Sequence, residues 1–152
     1  MIGTTTMVAR AFLDTNIVLR LVNSALPEHP QVHRLVQTMR DEGRELWISR
    51  QVIREYLVQV TRPGVLAVPL LSGQVRIHVQ TLGLLFKVAD ENEATTDKLL
   101  ELLDEFPSGG KQIHDANIVA TMLVSNIDTL LTINLADMKR FASKIEIRVP
   151  IS

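Results

Sequence analysis

Short, mostly apolar runs alternate with amphipathic stretches along this chain. The apolar runs predict five buried strands, at residues 11–13, 46–48, 84–88, 129–132 and 145–149. Between them, apolar residues that recur every three or four positions predict helices, at residues 15–21, 50–60, 72–82, 91–106 and 113–125, with one more through Val32, Leu35, Val36 and Met39. Ser49 is a plausible N-cap for the helix that follows it. Breakers at Pro63-Gly64 and at residues 108–110 indicate loops.

Strands that alternate with helices predict an α/β fold, with a parallel sheet of about five strands covered by helices on both faces. A chain of 152 residues suits one compact domain, so we expect residues 1–152 to form a single domain in which residues 1–7 are a frayed N-terminal tail. In such sheets, ligands bind at the carboxyl ends of the strands. That edge should carry Asp14, which follows the first strand, and residues 132–134, which end the fourth.

Composition narrows the function classes. The absence of cysteine excludes disulfides, thiolate zinc sites and cysteine nucleophiles, and agrees with a cytoplasmic location. Residues 1–10 lack the apolar core of a secretory signal, and no run of eighteen apolar residues predicts a membrane span. The formal net charge is −1, so a nucleic-acid-binding function would depend on a local basic patch or on a metal ion rather than on overall charge.

Three acidic residues are candidate site residues. Asp14 either caps the next helix or directs a carboxylate at a cation at the sheet edge. Glu55 lies just outside the apolar arc of its helix, and by itself it is best interpreted as a solvated side chain. Asp115 shares a helix face with Ile118, Val119 and Met122, which are apolar. A carboxylate on a core-facing stripe needs a cation, hydrogen-bond donors or a raised pKa. Asp115 could obtain donors as the N-cap of its helix, but a functional role is favoured.

Residues after the fourth strand have a simpler explanation. Asn134 is placed to cap a short helix ending near Phe141, and Asp137 would lie in its first turn, where negative charge is stabilised. The four histidines include one pair at i,i+4 spacing, His29 and His33, but no recognised zinc motif.

Four segments, in the same order, resemble the motifs of PIN-domain nucleases. They are Phe12-Leu13-Asp14-Thr15-Asn16, Ile53-Arg54-Glu55-Tyr56, Ile113-His114-Asp115-Ala116-Asn117-Ile118-Val119-Ala120 and Leu130-Leu131-Thr132-Ile133-Asn134-Leu135-Ala136-Asp137. The resemblance extends from about residue 8 to residue 149, and within that family it is strongest to the VapC-like toxins of bacterial toxin–antitoxin pairs. It implies a three-layer α/β/α fold and RNA cleavage that depends on Mg²⁺ or Mn²⁺.

The resemblance also assigns roles by position. It implies that Asp14, Glu55 and Asp115 are catalytic metal ligands, with Asn16, Thr132, Asn134 and Asp137 as possible supporting residues. Many family members carry aspartate where this chain has Asn134, so the fourth acidic position is either Asn134 itself or Asp137. The implied partners are an RNA substrate, a small cognate antitoxin and a second copy of the chain. Three packed carboxylates repel one another in a partly buried site, which suits Mg²⁺ binding better than structural packing.

Two other functions remain open from the sequence. An aspartate at a strand end also occurs in haloacid-dehalogenase-type phosphotransferases, but the second aspartate expected two residues later is Asn16 here. A catalytically silent module that keeps the fold and binds RNA or protein is the second alternative. The apolar run at residues 65–71 is either an exposed interface or a buried connection. Five basic residues lie near the motifs and are candidates for phosphate contacts, although each by itself is more typical of solvated surface charge: Arg50, Arg54, Lys111, Lys139 and Arg140.

Overall fold

The computed structural model describes residues 8–151, and the expected N-terminal tail at residues 1–7 lies outside them. The elements, in chain order, are β1 (Arg10–Leu13), α1 (Thr15–Val22), α2 (His29–Asp41), β2 (Glu45–Ser49), α3 (Arg50–Thr61), α4 (Ser72–Leu85), β3 (Lys87–Ala89), α5 (Glu93–Glu105), α6 (Gln112–Val124), β4 (Thr129–Leu131), α7 (Leu135–Met138), a 3₁₀ turn (Lys139–Phe141) and β5 (Glu146–Arg148). The predicted α/β class is confirmed. The assignment of the whole chain to one domain stays a prediction.

All five strands are parallel and lie in the order β3-β2-β1-β4-β5. The central strand β1 has buried residues on both faces, as does β4, because helices cover the sheet on each side. The core is mainly aliphatic, and its three largest fully buried side chains are aromatic: Tyr56, Phe12 and Phe141. Within the described residues, no helix is long and apolar enough to cross a membrane.

The chain order creates one crevice at the carboxyl edge of the sheet. From β1 the chain passes outward to β2 and β3, then returns across the sheet to β4 and β5. Connections therefore leave the neighbouring strands β1 and β4 in opposite directions, and such a switch point is where open parallel sheets bind their ligands. Asp14 directly follows β1 and Thr132 directly follows β4, so both residues lie at this crevice.

The predicted strand at residues 84–88 is wrong at its start. Leu84 and Leu85 form the last turn of α4, and the strand itself is Lys87–Ala89, paired with β2. Leu84 is 88% exposed, whereas Leu82 and Phe86 are buried. Only Leu82 of the helix's final turn therefore faces the core. A short apolar run does not by itself distinguish the end of a helix from a strand. Here, pairing of residues 87–89 with β2 determines where the strand lies.

The other boundaries lie close to those predicted. Ser49 accepts a hydrogen bond from the Val52 backbone N–H at 3.3 Å and caps α3, as expected. Helix α5 starts at Glu93 rather than residue 91, because Asn92 caps it and exchanges hydrogen bonds with Thr95. Of the ambiguous apolar run, Val65 packs against the core, while Val68 is 74% and Leu71 72% exposed, so the run is partly a connection and partly exposed surface.

Candidate active site

The three acidic residues singled out by the sequence line one cleft of about 300 Å³ at the carboxyl edge of the sheet. Asp14 enters it from the end of β1, Glu55 from α3 and Asp115 from the first turn of α6. The remaining lining residues are Thr15, Asn16, Val58, Gln59 and Asn134. Three carboxylates from distant parts of the sequence therefore face the same space.

Asp14 is the most buried of the three, with 8% of its surface exposed. One carboxylate oxygen accepts the Thr15 backbone N–H at 2.8 Å. The other accepts the Thr132 hydroxyl at 2.9 Å and the Asn16 side-chain amide at 3.3 Å. Asp14 also occupies the N-cap position of α1. Capping does not exclude a functional role, because the same carboxylate also lines the cleft.

The surroundings of Asp14 disfavour its charge. Burial raises the pKa of Asp14 to about 6 from an ordinary value of 3.8, although the hydrogen bonds from Thr132 and Thr15 act in the opposite direction. The negative charges of Glu55 and Asp115 raise the pKa further. A buried carboxylate beside two others is stabilised by a bound cation, which removes both costs.

Glu55 is held at both oxygens, although its sequence position alone suggested a solvated side chain. The Thr15 hydroxyl donates to Oε2 at 2.6 Å, and the Gln51 side-chain amide donates to Oε1 at 2.9 Å. These two contacts fix the carboxylate over the cleft. The sequence analysis did not identify Gln51. Its i,i+4 spacing from Glu55 could have indicated the contact, because side chains at this spacing are neighbours on a helix.

Asp115 is half-buried in the first turn of α6 and is not its N-cap, which is Lys111. Burial raises the pKa of the Asp115 carboxyl, and the charges of Asp137 and Glu55 raise it further, while Arg140 and His114 lower it. Among the described residues, no hydrogen bond reaches this carboxylate from a side chain. Of the three acids, Asp115 is therefore the one without a side-chain hydrogen-bond donor among the described residues, and only nearby charges offset its own.

The supporting residues suggested by the sequence surround Asp14. Thr132 is fully buried, and its hydroxyl also accepts the Asn134 backbone N–H at 3.0 Å. The Asn16 side-chain oxygen accepts the Ile133 backbone N–H at 3.1 Å, which ties the two neighbouring strand ends together. Both residues thus hold Asp14 across the crevice between β1 and β4.

Asn134 and Asp137 act on the site in different ways. Asn134 lines the cleft at the N-cap position of α7, but its side chain caps no backbone N–H. Its amide instead donates to Asp137 Oδ2 at 2.6 Å. Asp137 is exposed, yet among neighbouring charges it has the largest effect on the pKa of Asp115.

The donor set fits a hard divalent cation in its chemistry. Every candidate ligand offers oxygen, the type of donor that Mg²⁺ and Mn²⁺ prefer. Within residues 8–151, however, no three acidic or histidine side chains form a preassembled group of metal ligands. The hydrogen bonds to Asp14 and Glu55 hold these two carboxylates in place around the cleft.

A larger cavity of about 510 Å³ lies between α2 and the segment after β5. Its lining is mainly apolar and includes Leu35, Val149 and Ile151, with Arg34 and Arg148 as its charged members. It contains no carboxylate, so it lacks the ligands that a cation needs. The smaller acidic cleft is the better candidate for chemistry.

The basic residues near the motifs divide into two groups. Arg50 pairs with Asp90 at 3.0 Å, and Arg54 approaches Glu91 at 3.6 Å. Arg140 donates to the Ser108 hydroxyl and covers the ring of Phe141. The two lysines, Lys111 and Lys139, are exposed and form no ion pair within the described part of the chain.

The family model for the PIN domain matches residues 11–143. No curated protein matches the chain. Solved structures of similar fold include VapBC2 from Rickettsia felis bound to a DNA fragment from its promoter, with a TM-score of 0.67, 18% identity and coverage of 91% of this chain and 97% of that one.

Two further structures have a similar fold. A toxin–antitoxin complex from Klebsiella pneumoniae matches with a TM-score of 0.64 and 19% identity, covering 93% of this chain and 98% of that one. VapC20 from Mycobacterium tuberculosis, described as a toxin that cleaves the sarcin–ricin loop, matches with a TM-score of 0.57 and 17% identity, covering 79% and 86%. At these identities the structural likeness shows the fold, and the family model extends over most of the chain. The chain belongs to the PIN domain family.

Proposed function

We propose that this chain is a Mg²⁺- or Mn²⁺-dependent endoribonuclease. The observation that carries the proposal is the convergence of Asp14, Glu55 and Asp115 on one cleft at the switch point of the sheet. Membership of a family whose members are typically nucleases supports it. The family assignment leaves the dehalogenase-type alternative without support, and Asn16, which stands where that alternative requires an aspartate, donates to Asp14 instead.

The three carboxylates are the residues that would hold the ion. A bound divalent cation lowers the pKa of water and neutralises phosphate charge, which is the chemistry that phosphodiester hydrolysis needs. Water attacks phosphorus, the bond to one bridging oxygen breaks, and the leaving oxygen takes a proton. Thr15, Asn16 and Thr132 keep Asp14 and Glu55 in place through their hydrogen bonds.

The test combines metal binding with cleavage. Calorimetry with metal-free protein should show Mn²⁺ binding, and RNA cleavage should stop in EDTA and return with Mn²⁺. Asp115→Asn should lower cleavage by more than about 100-fold, because even loss of an outer-shell partner costs about 10–100-fold. Asp104→Asn, an exposed change on α5, is the matched control and should cut at the native rate.

The same experiment separates this proposal from a catalytically silent module. A silent module has no reason to hold the ion, so an absence of both Mn²⁺ binding and cleavage would favour it. Cleavage at the native rate by Asp14→Asn and Asp115→Asn would overturn the mechanism. Trapping of a covalent phosphate on Asp14 would instead revive the phosphotransferase alternative.

We further propose that the chain is the toxin of a toxin–antitoxin pair, that it acts in the cytoplasm and that it forms a homodimer. The similar solved structures include VapBC and other toxin–antitoxin complexes, some with DNA. A small open reading frame directly upstream of the gene, whose product binds this chain and stops cleavage, would support the pairing. Unchanged cleavage in the presence of that product would contradict it.

A further inference from the structure

Two linked side-chain amides, the buried Gln51 and the half-buried Asn117, join the acidic cleft to the loop after β3. Gln51, in the first turn of α3, is only 4% exposed. Its amide nitrogen donates to Glu55 Oε1 at 2.9 Å and to the His114 carbonyl at 3.0 Å. His114 directly precedes Asp115, so one side chain connects Glu55 on α3 with the backbone that carries Asp115 on α6.

The orientation of the Gln51 amide is set from its other end. The Asn117 amide nitrogen donates to Gln51 Oε1 at 2.8 Å and to Glu91 Oε1 at 3.1 Å. A carbonyl and an ionised carboxylate only accept hydrogen bonds. The amide nitrogens of Gln51 and Asn117 each face two such oxygens. The reverse orientation of either amide would place oxygen against oxygen.

We propose that Gln51 is a positioning residue that fixes the Glu55 carboxylate relative to Asp115, and that Asn117, anchored on Glu91, fixes the orientation of the Gln51 amide. This inference rests on the proposed function, since it concerns two of the acids assigned to the cation. Among the described residues, Gln51 is the one whose side chain hydrogen-bonds both to an acid of the cleft and to the backbone beside another. Outer partners of this kind orient metal-binding carboxylates, and their loss typically costs about 10–100-fold in metal affinity or activity.

The first test is Gln51→Met, which has similar length but no donor. Calorimetry with metal-free protein should show the Mn²⁺ dissociation constant rising about tenfold. For RNA cleavage, kcat should fall while KM changes little, because the change affects the acids rather than an RNA-binding surface. The melting temperature without metal should shift by only a few degrees. Gln80→Met, the same substitution at an exposed position of α4, is the control and should match the unmodified chain.

The second test is Asn117→Ala, which suits the helix interior and removes the donor that orients Gln51. It should weaken Mn²⁺ binding in the same direction but by less than Gln51→Met. The double variant should bind Mn²⁺ no more weakly than Gln51→Met alone, because Asn117 acts through Gln51. A merely structural role would give additive losses in thermal stability and leave the dissociation constant unchanged. Asn117→Ala also supplies an answer should Gln51→Met fail to fold.

The outcomes separate this inference from the function it rests on. If the unmodified chain binds Mn²⁺ and cuts RNA while Gln51→Met and Asn117→Ala bind the ion equally well, the positioning role is wrong and the nuclease proposal stands. Additive effects in the double variant would remove the orienting role of Asn117 alone. If the unmodified chain neither binds Mn²⁺ nor cuts RNA, the proposed function fails and the positioning role fails with it.

Discussion

Asp14 is buried and also lies beside two other acids, and both features raise its pKa. Its folded pKa of about 6 lies above its ordinary value of 3.8. The folded state therefore holds the proton more tightly than the unfolded state between those values. In the metal-free protein this group destabilises the fold increasingly as the pH rises from about 4 to 6, and fully above 6.

Asp14→Asn should remove this pH-dependent cost. The rise from 3.8 to about 6 corresponds to about 3 kcal/mol. We compare the unfolding free energy of the variant with that of the unmodified chain in EDTA. This difference should be on the order of 1–3 kcal/mol larger at pH 7 than at pH 4, in favour of the variant. Urea unfolding at both pH values measures this difference. Equal gains for Asp14→Asn and the exposed control Asp104→Asn would show that burial of Asp14 has no such effect.

The second prediction at this scale concerns the fourth acidic position. We expect Asn134→Asp to tighten Mn²⁺ binding by adding a negative ligand at the cleft, while the lost hydrogen bond to Asp137 lowers metal-free stability. Asp137→Asn should lower the melting temperature slightly, because negative charge in the first turn of α7 is worth about 0.3–1 kcal/mol. Its Mn²⁺ affinity should change little. Calorimetry and thermal melts separate the two.

A large loss of Mn²⁺ affinity in Asp137→Asn, with an unchanged melting temperature, would show that the two roles are reversed. Asp137 raises the pKa of Asp115 more than any other neighbouring charge does. This makes the test demanding, because a charge that affects Asp115 also affects a cation beside it.

At the scale of elements, helix α3 carries both Glu55 and Gln51 into the site, and its start is fixed by Ser49. Ser49 is fully buried at the end of β2, so the strand and the helix are joined without a flexible loop. The direction of α3 relative to the sheet therefore depends on a single turn.

Ser49→Ala should lower the unfolding free energy by about 1 kcal/mol, the usual cost of losing a serine N-cap. Urea unfolding measures this. Ser72→Ala is the matched control, because Ser72 is the exposed first residue of α4 and does not cap it, and the control should change stability by less than about 0.5 kcal/mol. Equal losses in both variants would mean that the Ser49 cap contributes nothing.

At the scale of the whole molecule, a net charge of −1 gives RNA no general attraction. The proposed nuclease must then hold phosphates with local cations. All four nearby cations, Arg50, Arg54, Lys111 and Lys139, are exposed. The two arginines lie beside acidic partners, whereas the two lysines form no ion pair within residues 8–151. Lys111 directly precedes α6, which carries Asp115, and Lys139 directly follows α7, whose N-cap Asn134 lines the cleft.

We expect each of these lysines to contact one phosphate of the RNA. Lys111→Gln and Lys139→Gln should therefore each raise the KM for a short RNA several-fold and leave kcat nearly unchanged. Each should also make KM depend less steeply on salt concentration. Steady-state cleavage at two salt concentrations measures both effects. Arg50→Gln is the control, and an equal rise in KM for that variant would show that the lysines have no special role.

The proposed homodimer is also a property of the whole molecule. Val68 and Leu71 expose apolar surface on the segment between α3 and α4, and we expect the proposed dimer to bury it. Light scattering at micromolar concentration should give a dimer, and Val68→Asp should weaken it because a buried charge without a partner is costly. A monomer for the unmodified chain at that concentration would contradict the dimer.

The sequence by itself determined the class of fold, and it predicted three acidic site residues that the structure brings to one cleft. Strands and helices differ in the spacing of their apolar residues, so the sequence pattern predicted the alternation of elements. Asp14 and Asp115 interrupt apolar patterns at positions where a carboxylate is costly, which marked them as candidates. Glu55 was identifiable only through the resemblance of its segment, because its position on α3 is that of an ordinary solvated side chain. These predictions were possible because the spacing of apolar residues and the motif segments involve only residues that are close in the sequence.

Only the tertiary structure decided how these residues meet. The strand order places β4 beside β1, which brings Thr132 within 2.9 Å of Asp14 although 118 positions separate them. The contact between Gln51 and Asn117 joins two helices in the same way. The start of β3 was misplaced because the exposure of Leu84 depends on what α4 packs against. Contacts between distant segments arise from packing, and a local sequence pattern does not record them.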